Sequence, residues 1–422
     1  MSFAYLMESF PDPTKTFVHR EVSAMMALGM APVVFSVREP SAEERSLMEG
    51  AQIPARYFPP EPELRELIER ERGSFSSRQR NALSHWRSQK GDSTRVFEAL
   101  WLGRDLKKAG IRHVHAHFAG LAARTAWLAR ELWGVGYSFT GHADDIFSPE
   151  QKPISLGMLV RDARFIATET DYSRARVEEQ FAGARGKTFR VFNGISVDQP
   201  PAPRDESIPP RIVSVGRLVE KKGFPTLLAA CALLRDRGIE FGCDIAGSGP
   251  LDGMLRQKIA ELQLGGHVLL HGLQPQSGVH ALLQKARVFA LAAQREGDGG
   301  SDNLPTVIME AMLAGLPVVS TRIAGIPEMM DDGGTGLLTD ENNPAALADA
   351  LARLLCDEAF AQRLGAAGRK RACEKFSVTR AATELARLLI SRASVTPPPA
   401  AVAANPSLKP PRFSRLKRAL GL

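Results

Sequence analysis

Short apolar runs, each closed by a turn-forming or charged residue, recur along the whole chain and read as buried strands. In the first half they fall at residues 1–8, 31–37, 113–117, 137–140, 164–168 and 187–192. In the second half they fall at 211–215, 241–246, 268–271, 288–291, 317–321 and 336–339. Helical stretches lie between them. Such alternation predicts parallel sheets covered by helices, an α/β chain of two Rossmann-like, doubly wound halves. Residues 198–210 carry five prolines in thirteen positions and read as an interdomain linker. The predicted organisation is therefore a domain over 1–197, a linker over 198–210 and a second domain over 211–372. A helix over 373–394 is expected to pack back on the first domain, and 395–422 form a tail.

Two segments stand apart from this pattern. Residues 61–90 are helix-like and rich in arginine, with Phe75 and Trp86 among the cations. They suit either a solvated helical face or a surface turned to a membrane or an acceptor. Residues 395–411 form a proline-rich spacer, expected to be disordered, and after it Phe413, Leu416, Leu420 and Leu422 interleave with Arg412, Arg415, Lys417 and Arg418. Such a peptide suits an anionic bilayer or is simply solvated.

Charge follows the same division. The net charge is +7, of which the tail supplies +5 with no acid, leaving +2 for the remainder. A nearly neutral body does not point to nucleic acid. The four cysteines have no metal-binding spacing and read as buried thiols in a reducing compartment. No cationic leader opens the chain and no apolar run approaches a membrane span, so the expected location is the cytoplasm.

The chemistry concentrates at two places. From Asp302 to Glu310 the chain reads Asp-Asn-Leu-Pro-Thr-Val-Ile-Met-Glu. Pro305 suits a first helical turn, and a buried apolar helix follows that Glu310 interrupts. One acid before the helix and one two turns into it can grip a sugar and a ribose. Upstream, residues 212–223 read as a buried strand, the Gly216 turn, the cations Arg217 and Lys222, then Gly223 and a helix. Close backbone approach with fixed positive charge at a strand's carboxyl end is what a diphosphate needs.

Other features narrow the choice. Gly247-Ser248-Gly249-Pro250 ends a strand but lacks the third glycine of a dinucleotide fingerprint, which argues against a dehydrogenase. No two aspartates are separated by one residue, so the metal-binding Asp-x-Asp found in some sugar transferases is absent. Arg217 and Lys222 are then the expected substitute for a metal, with no metal and no cofactor required. His142 follows an apolar strand between the small residues Gly141 and Ala143, where an imidazole can meet a sugar's hydroxyls. His115 and His117 share one face of a strand and suit packing, an acceptor or, with a third ligand that is not evident, a metal. Asp144 and Asp145 suit an acceptor hydroxyl or a helix cap, with capping the preferred reading.

Taken in order, these segments resemble glycosyltransferase family 4, the retaining nucleotide-sugar transferases. The chain also carries His115-Ala116-His117-Phe118, 138–147 with Thr140-Gly141-His142, Val191-Phe192-Asn193-Gly194-Ile195, 317–321 and Ala324-Gly325-Ile326-Pro327-Glu328. The resemblance spans about residues 1–390 and is nearest to enzymes of bacterial colanic-acid and exopolysaccharide assembly. It implies two Rossmann-like domains facing a cleft (the GT-B fold) and transfer of a hexose-type sugar, from a UDP or GDP donor, to a glycan or lipid-linked acceptor. It further implies a catalytic set of Arg217, Lys222, His142 and Asp302, with the sugar between Asp302 and His142. Donor contacts are then expected at Gly216, Gly247, Gly249, Asn303, Leu304, Pro305, Thr306 and Glu310. Residues 10–18 look like the acceptor loop, giving Thr14, Thr16, His117 and Asp145 as acceptor contacts. Three positions depart from the family: Asp302 stands for a glutamate, Asn303 for a glycine, and no glycine precedes Gly29. Two further readings remain open: an inactive nucleotide-sugar-binding partner, and an epimerase on the same plan.

Overall fold

The structure, a computed structural model, describes residues 3–46, 53–147, 151–197, 210–297 and 299–395. The chain divides into two compact units, Met1–Gly194 with Val378–Leu422, and Ile195–Ser377. The linker reading at 198–209 and the tail reading at 396–422 lie outside the described residues.

The first unit is built on β1 (Ala4–Ser9), β2 (Val33–Arg38), β3 (Ala55–Tyr57), β4 (His113–His117), β5 (Gly136–Gly141), β6 (Ile166–Thr168) and β7 (Thr188–Arg190). They form one parallel sheet in the order β3-β2-β1-β4-β5-β6-β7. The second unit is built on β8 (Arg211–Val215), β9 (Gly242–Ala246), β10 (Val268–Leu270), β11 (Val288–Leu291), β12 (Val318–Thr321) and β13 (Leu337–Thr339). Its order is β10-β9-β8-β11-β12-β13, again all parallel. In each sheet the direction of winding reverses once, between β1 and β4 and between β8 and β11. Crevices outside the carboxyl ends of strands open at such reversals.

Every strand read from the sequence is present, with ends that agree to within three residues. The strand β3 is an addition to that reading: at three residues, half-buried and on the sheet edge, it carries too little apolar pattern to stand out. The terminal helix also differs. Residues 373–375 finish the helix Glu358–Lys375, and the next helix is Val378–Ala393, in the first unit. Its Ala382, Leu385, Ala386 and Leu389 pack with Val18, Val22 and Met25 of the helix Thr16–Ala27, both sets at helical spacing. Gly194 makes room for the chain's return: a Cβ there would lie 2.3 Å from Val378 Cα.

The arginine-rich segment resolves into the helices Glu61–Glu71 and Ser77–Trp86, the second opened by a Ser76/Gln79 capping box. Leu64, Ile68, Phe75 and Leu83 enter the core, and Trp86 packs edge-on against Trp127. Arg65, Arg72, Arg87 and Arg78 pair with Glu61, Glu69, Glu69 and Glu131. This is a solvated face whose aromatic residues belong to the core. Among the described residues no helix is long and apolar enough to cross a membrane. Cys231 and Cys243 are buried, but Cys356 is exposed and Cys373 half-buried, so the buried-thiol reading holds for only two of the four.

Candidate active site

The candidate residues divide between the units. In the second, β8 ends at Val215, and its continuation runs against the turn that follows β9. Gly216 N–H donates to Ala246 O at 3.0 Å and Leu218 N–H to Ser248 O at 2.9 Å. A Cβ on Gly247 would lie 1.8 Å from Gly216 O, and one on Gly249 2.6 Å from Leu218 O. Glycine is needed at both so that two backbones can touch, a reason independent of any ligand.

The turn Glu220–Lys222 is fixed in the same way to the loop leaving β11. Gln294 N–H donates to Lys221 O at 3.0 Å, and Lys221 N–H to Glu296 Oε1 at 3.3 Å. Gly223 adopts φ +63°, and a Cβ there would fall 1.7 Å from Ala292 O. Hydroxyls of Ser320 and Thr321 on β12 donate to Leu291 O and Ala293 O and anchor that loop from below. The stem of Lys222 lies over Gly216, whose added Cβ would meet Lys222 Cε at 3.1 Å. Its ammonium reaches Asp302 Oδ2 at 2.5 Å, with both side chains 13% exposed.

Two of the expected catalytic residues are thus brought into contact, as an ion pair. Arg217 is exposed and makes no ion pair among the described residues. Asn303, Leu304 and Pro305 are buried and Thr306 half-buried, directly before and at the start of the helix Thr306–Leu313. Pro305 occupies the capping position rather than the first turn. Glu310 does not interrupt a wholly buried run. Ile308, Met309, Ala311 and Met312 are buried, while Thr306, Val307, Glu310, Leu313 and Ala314 share a half-buried face at helical spacing.

In the first unit, β4 and β5 carry the candidate histidines. His142 is buried, 6% exposed, against Phe118 and Phe17 at ring separations of 4.2 and 5.1 Å. Its Nδ1 meets Glu169 Oε1 at 2.7 Å, and its Nε2 faces His117 Nδ1 at 3.5 Å. Burial opposes a charge on His142, but Glu169, Asp145 and Glu21 outweigh it and raise the pKa above the ordinary histidine value. His117 Nε2 lies 3.0 Å from Glu21 Oε1, which also accepts from Tyr5 Oη at 2.6 Å. Burial pushes the Glu21 carboxyl up, and His117, Tyr5 and His142 together bring it below the usual value.

Asp145 lies inside the short helix Ala143–Phe147 and closes its start from within. Its Oδ2 accepts from His142 N–H at 3.1 Å and Ala119 N–H at 2.9 Å. That geometry fits the capping reading of Asp145. Thr14 is exposed and bonds Asp12, and Thr16 Oγ1 accepts from Arg20. A small recess at the carboxyl ends of β1 and β4 is lined by Glu8, Phe10, Asp12, Lys15, His117 and Phe118, so the 10–18 loop and His117 share one surface.

His115, His117 and Glu21 place three possible ligand atoms within 4.8 Å of one another, supplying the third group the sequence did not reveal. The donor set fits a metal poorly. Both ring nitrogens of His115 are bonded, to Ser138 at 2.8 Å and Thr140 at 2.9 Å, and Glu21 is taken by Tyr5 and His117. Burial holds His115 well below the ordinary histidine pKa. Packing is its role.

Sequence reasoning missed Glu21, Glu169 and the bracing role of Asn193. Glu21 had a signal: it falls between Val18 and Val22 on the apolar face of its helix. Glu169 had none, and Asn193, though within the Val191–Ile195 segment, carried no mark of Glu169, to whose Oε1 its Nδ2 donates at 2.6 Å; only the sheet brings them together.

Residues 199–371 match the family described as glycosyl transferases group 1. The chain is 28% identical over 372 residues, 83% of its length and 90% of the other's, to the colanic acid biosynthesis glycosyltransferase WcaL of Salmonella typhimurium. It is 38% identical over 181 residues, 43% of this chain and 44% of the other, to the amylovoran biosynthesis glycosyltransferase AmsK of Erwinia amylovora. Anabaena HepE, solved in complex with UDP, superposes with a TM-score of 0.70 at 18% identity over 93% of this chain and all, 100%, of that one. The lipopolysaccharide outer core galactosyltransferase WaaB superposes at 0.65 with 16% identity, over 93% of this chain and 99% of that one. At such identities the superpositions establish the fold, GT-B with two parallel-sheet domains. The chain thus carries a glycosyl transferases group 1 domain over 199–371 and is similar over most of its length to a glycosyltransferase named for colanic acid biosynthesis.

Proposed function

We propose that the chain is a retaining, metal-independent hexosyltransferase of bacterial exopolysaccharide assembly. It takes its sugar from a nucleoside-diphosphate donor and passes it to a glycan or lipid-linked acceptor. One observation carries the reading: Lys222 and Asp302 meet beyond the carboxyl ends of the paired strands β8 and β11, beside backbone that only glycine allows. A diphosphate entering there takes over Lys222 as its counter-ion and frees Asp302 for the sugar's hydroxyls. Arg217, exposed and without an ion pair among the described residues, is the second cation, and Glu310 on the half-buried helix face accepts from the ribose. His142 is the first unit's sugar-contacting residue in this reading. In transfer the anomeric C–O bond to phosphate breaks and a bond to the acceptor oxygen forms on the same face. The acceptor's proton leaves with the diphosphate, whose growing charge the two cations offset.

The relatives named for colanic acid and amylovoran biosynthesis support this polymer class, and HepE, solved with UDP, supports a nucleotide donor. We further place the enzyme in the cytoplasm, at the inner face of the membrane, held there by residues 412–422. Incubating the purified chain with a panel of nucleoside-diphosphate sugars and membrane lipid extract, followed by mass spectrometry, tests the reading. One donor should add one sugar to one lipid component, with the donor's anomeric configuration kept. Binding without transfer or hydrolysis would establish the inactive partner instead. An isomerised nucleotide sugar formed without acceptor would establish the epimerase.

A further inference from the structure

The first unit holds a line of buried polar side chains that diphosphate binding does not use. At one end Tyr5 Oη donates to Glu21 Oε1 at 2.6 Å, and the same oxygen lies 3.0 Å from His117 Nε2. At the other end Asn193 Nδ2 donates to Glu169 Oε1 at 2.6 Å, and that oxygen lies 2.7 Å from His142 Nδ1. None of the six is more than 8% exposed. In the middle, His117 Nδ1 and His142 Nε2 face each other at 3.5 Å.

Ionised carboxylates only accept, so each outer ring nitrogen carries a hydrogen. The inner nitrogens then have room for one proton. With none, two lone pairs confront each other. With two, two N–H groups collide and two imidazolium charges adjoin in a buried site. One proton gives an N–H···N contact and a single positive charge between two carboxylates. The remaining neighbours fit that count. Asp145 accepts from His142 N–H, His115 is kept neutral, and Lys15 lies over the outer ring Phe118 at 4.9 Å.

We infer that Glu21 and Glu169, braced by Tyr5 and Asn193, are positioning residues that hold one shared proton between His117 and His142. His142 is thereby kept oriented and able to donate a hydrogen bond. At 3.5 Å the inner contact is the longest link and sits at the limit of a hydrogen bond, so it is the link a ligand oxygen can replace. The consequence for catalysis rests on the transferase reading above; the shared proton does not.

Nitrogen-15 NMR of the histidine-labelled full-length chain reads the proton directly. His142 should lose its proton above the ordinary histidine value of about 6.5, and the inner nitrogens of both rings should report that same single loss. Glu169→Gln keeps the shape and removes the charge, and should move that loss down by about one pH unit or more. Glu21→Gln should act in the same direction from the other end, and Asn193→Ala more weakly. In turnover, Glu169→Gln should lower kcat on the order of tenfold at pH 8 and less at pH 6, with donor KM nearly unchanged.

Independent titration of the two rings, unmoved by Glu169→Gln, would refute the shared proton whatever the activity. A shifted titration with an unaltered kcat–pH profile would refute the positioning role. If the wild-type chain transferred no sugar, the functional reading would fail while the NMR result still decided the proton. Should Glu169→Gln not fold, the Glu21→Gln and Asn193→Ala titrations decide it.

Discussion

The two sheets reverse their winding at β1/β4 and at β8/β11, and the same topological feature is furnished in opposite ways. At β8/β11 the site is made of backbone: Gly216, Gly223, Gly247 and Gly249 let loops touch, and one lysine stem lies across the first of them. At β1/β4 and the adjacent β5 it is made of side chains, with Glu21, His117, His142 and Glu169 joined through buried hydrogen bonds. A loop fixed by close backbone contacts and carrying a lysine suits an anion and reads little of the rest of a ligand. A buried, oppositely charged side-chain line costs desolvation and holds one geometry, which suits orientation rather than affinity. The comparison sets a site of close backbone approach in the second unit against one of fixed side-chain geometry in the first.

Replacing Gly223 by alanine attacks the backbone-built side hardest. Its φ is left-handed, and an added methyl would stand 1.7 Å from the Ala292 carbonyl oxygen, so a loss on the order of 3 kcal/mol or more in urea unfolding is expected. Gly29, with φ +79° but nothing within 4 Å of the place a Cβ would take, is the control, and alanine there should cost about 1 kcal/mol. Equal costs at the two positions would show that close approach does not shape the loop.

Glu310→Gln probes the binding assignment. Calorimetric titration with the nucleoside diphosphate should show affinity weakened by roughly 1–3 kcal/mol, provided unfolding confirms an intact fold. An unchanged affinity removes Glu310 from the ribose site.

Smaller effects are expected from pH. The raised pKa of His142 makes a stabilising contribution that is complete below about 6.5 and fades as pH climbs through the higher folded value. The lowered pKa of Glu21 contributes above its ordinary value and is lost as pH falls through the folded one. Glu169→Gln should therefore flatten the stability curve on its alkaline side and leave the acid side nearly alone. A flattening confined to the acid side would mean that Glu21, not Glu169, governs the pair. Least visible of all, deletion of residues 396–422 should spare turnover on soluble acceptors and reduce sedimentation with anionic vesicles, more so at low salt. Equal sedimentation would leave the tail without that role.

What the sequence disclosed follows from the same contrast. Local signals reported local structure. The apolar runs located twelve of the strands, and the Gly216–Gly223 spacing located the loop that holds Lys222. The pairing of Lys222 with Asp302 was not legible, because the two come from different strand ends eighty residues apart. Likewise Glu169 and Asn193 carry no sequence mark of their partner. Parallel pairing of β5 with β6, and of β6 with β7, fixes the end of the sheet at which Glu169 follows its strand beside His142. Gly247 and Gly249 were legible as a turn, but their reason, the backbone of Gly216 and Leu218, was not.

Turnover in the presence of EDTA tests the central claim, that fixed cations of the second unit carry the donor's diphosphate. Wild-type activity should persist undiminished in EDTA, and Arg217→Ala should lose more than about 100-fold in kcat/KM, on the order of 3 kcal/mol, with or without added metal. Activity abolished by EDTA and restored by magnesium or manganese would contradict it.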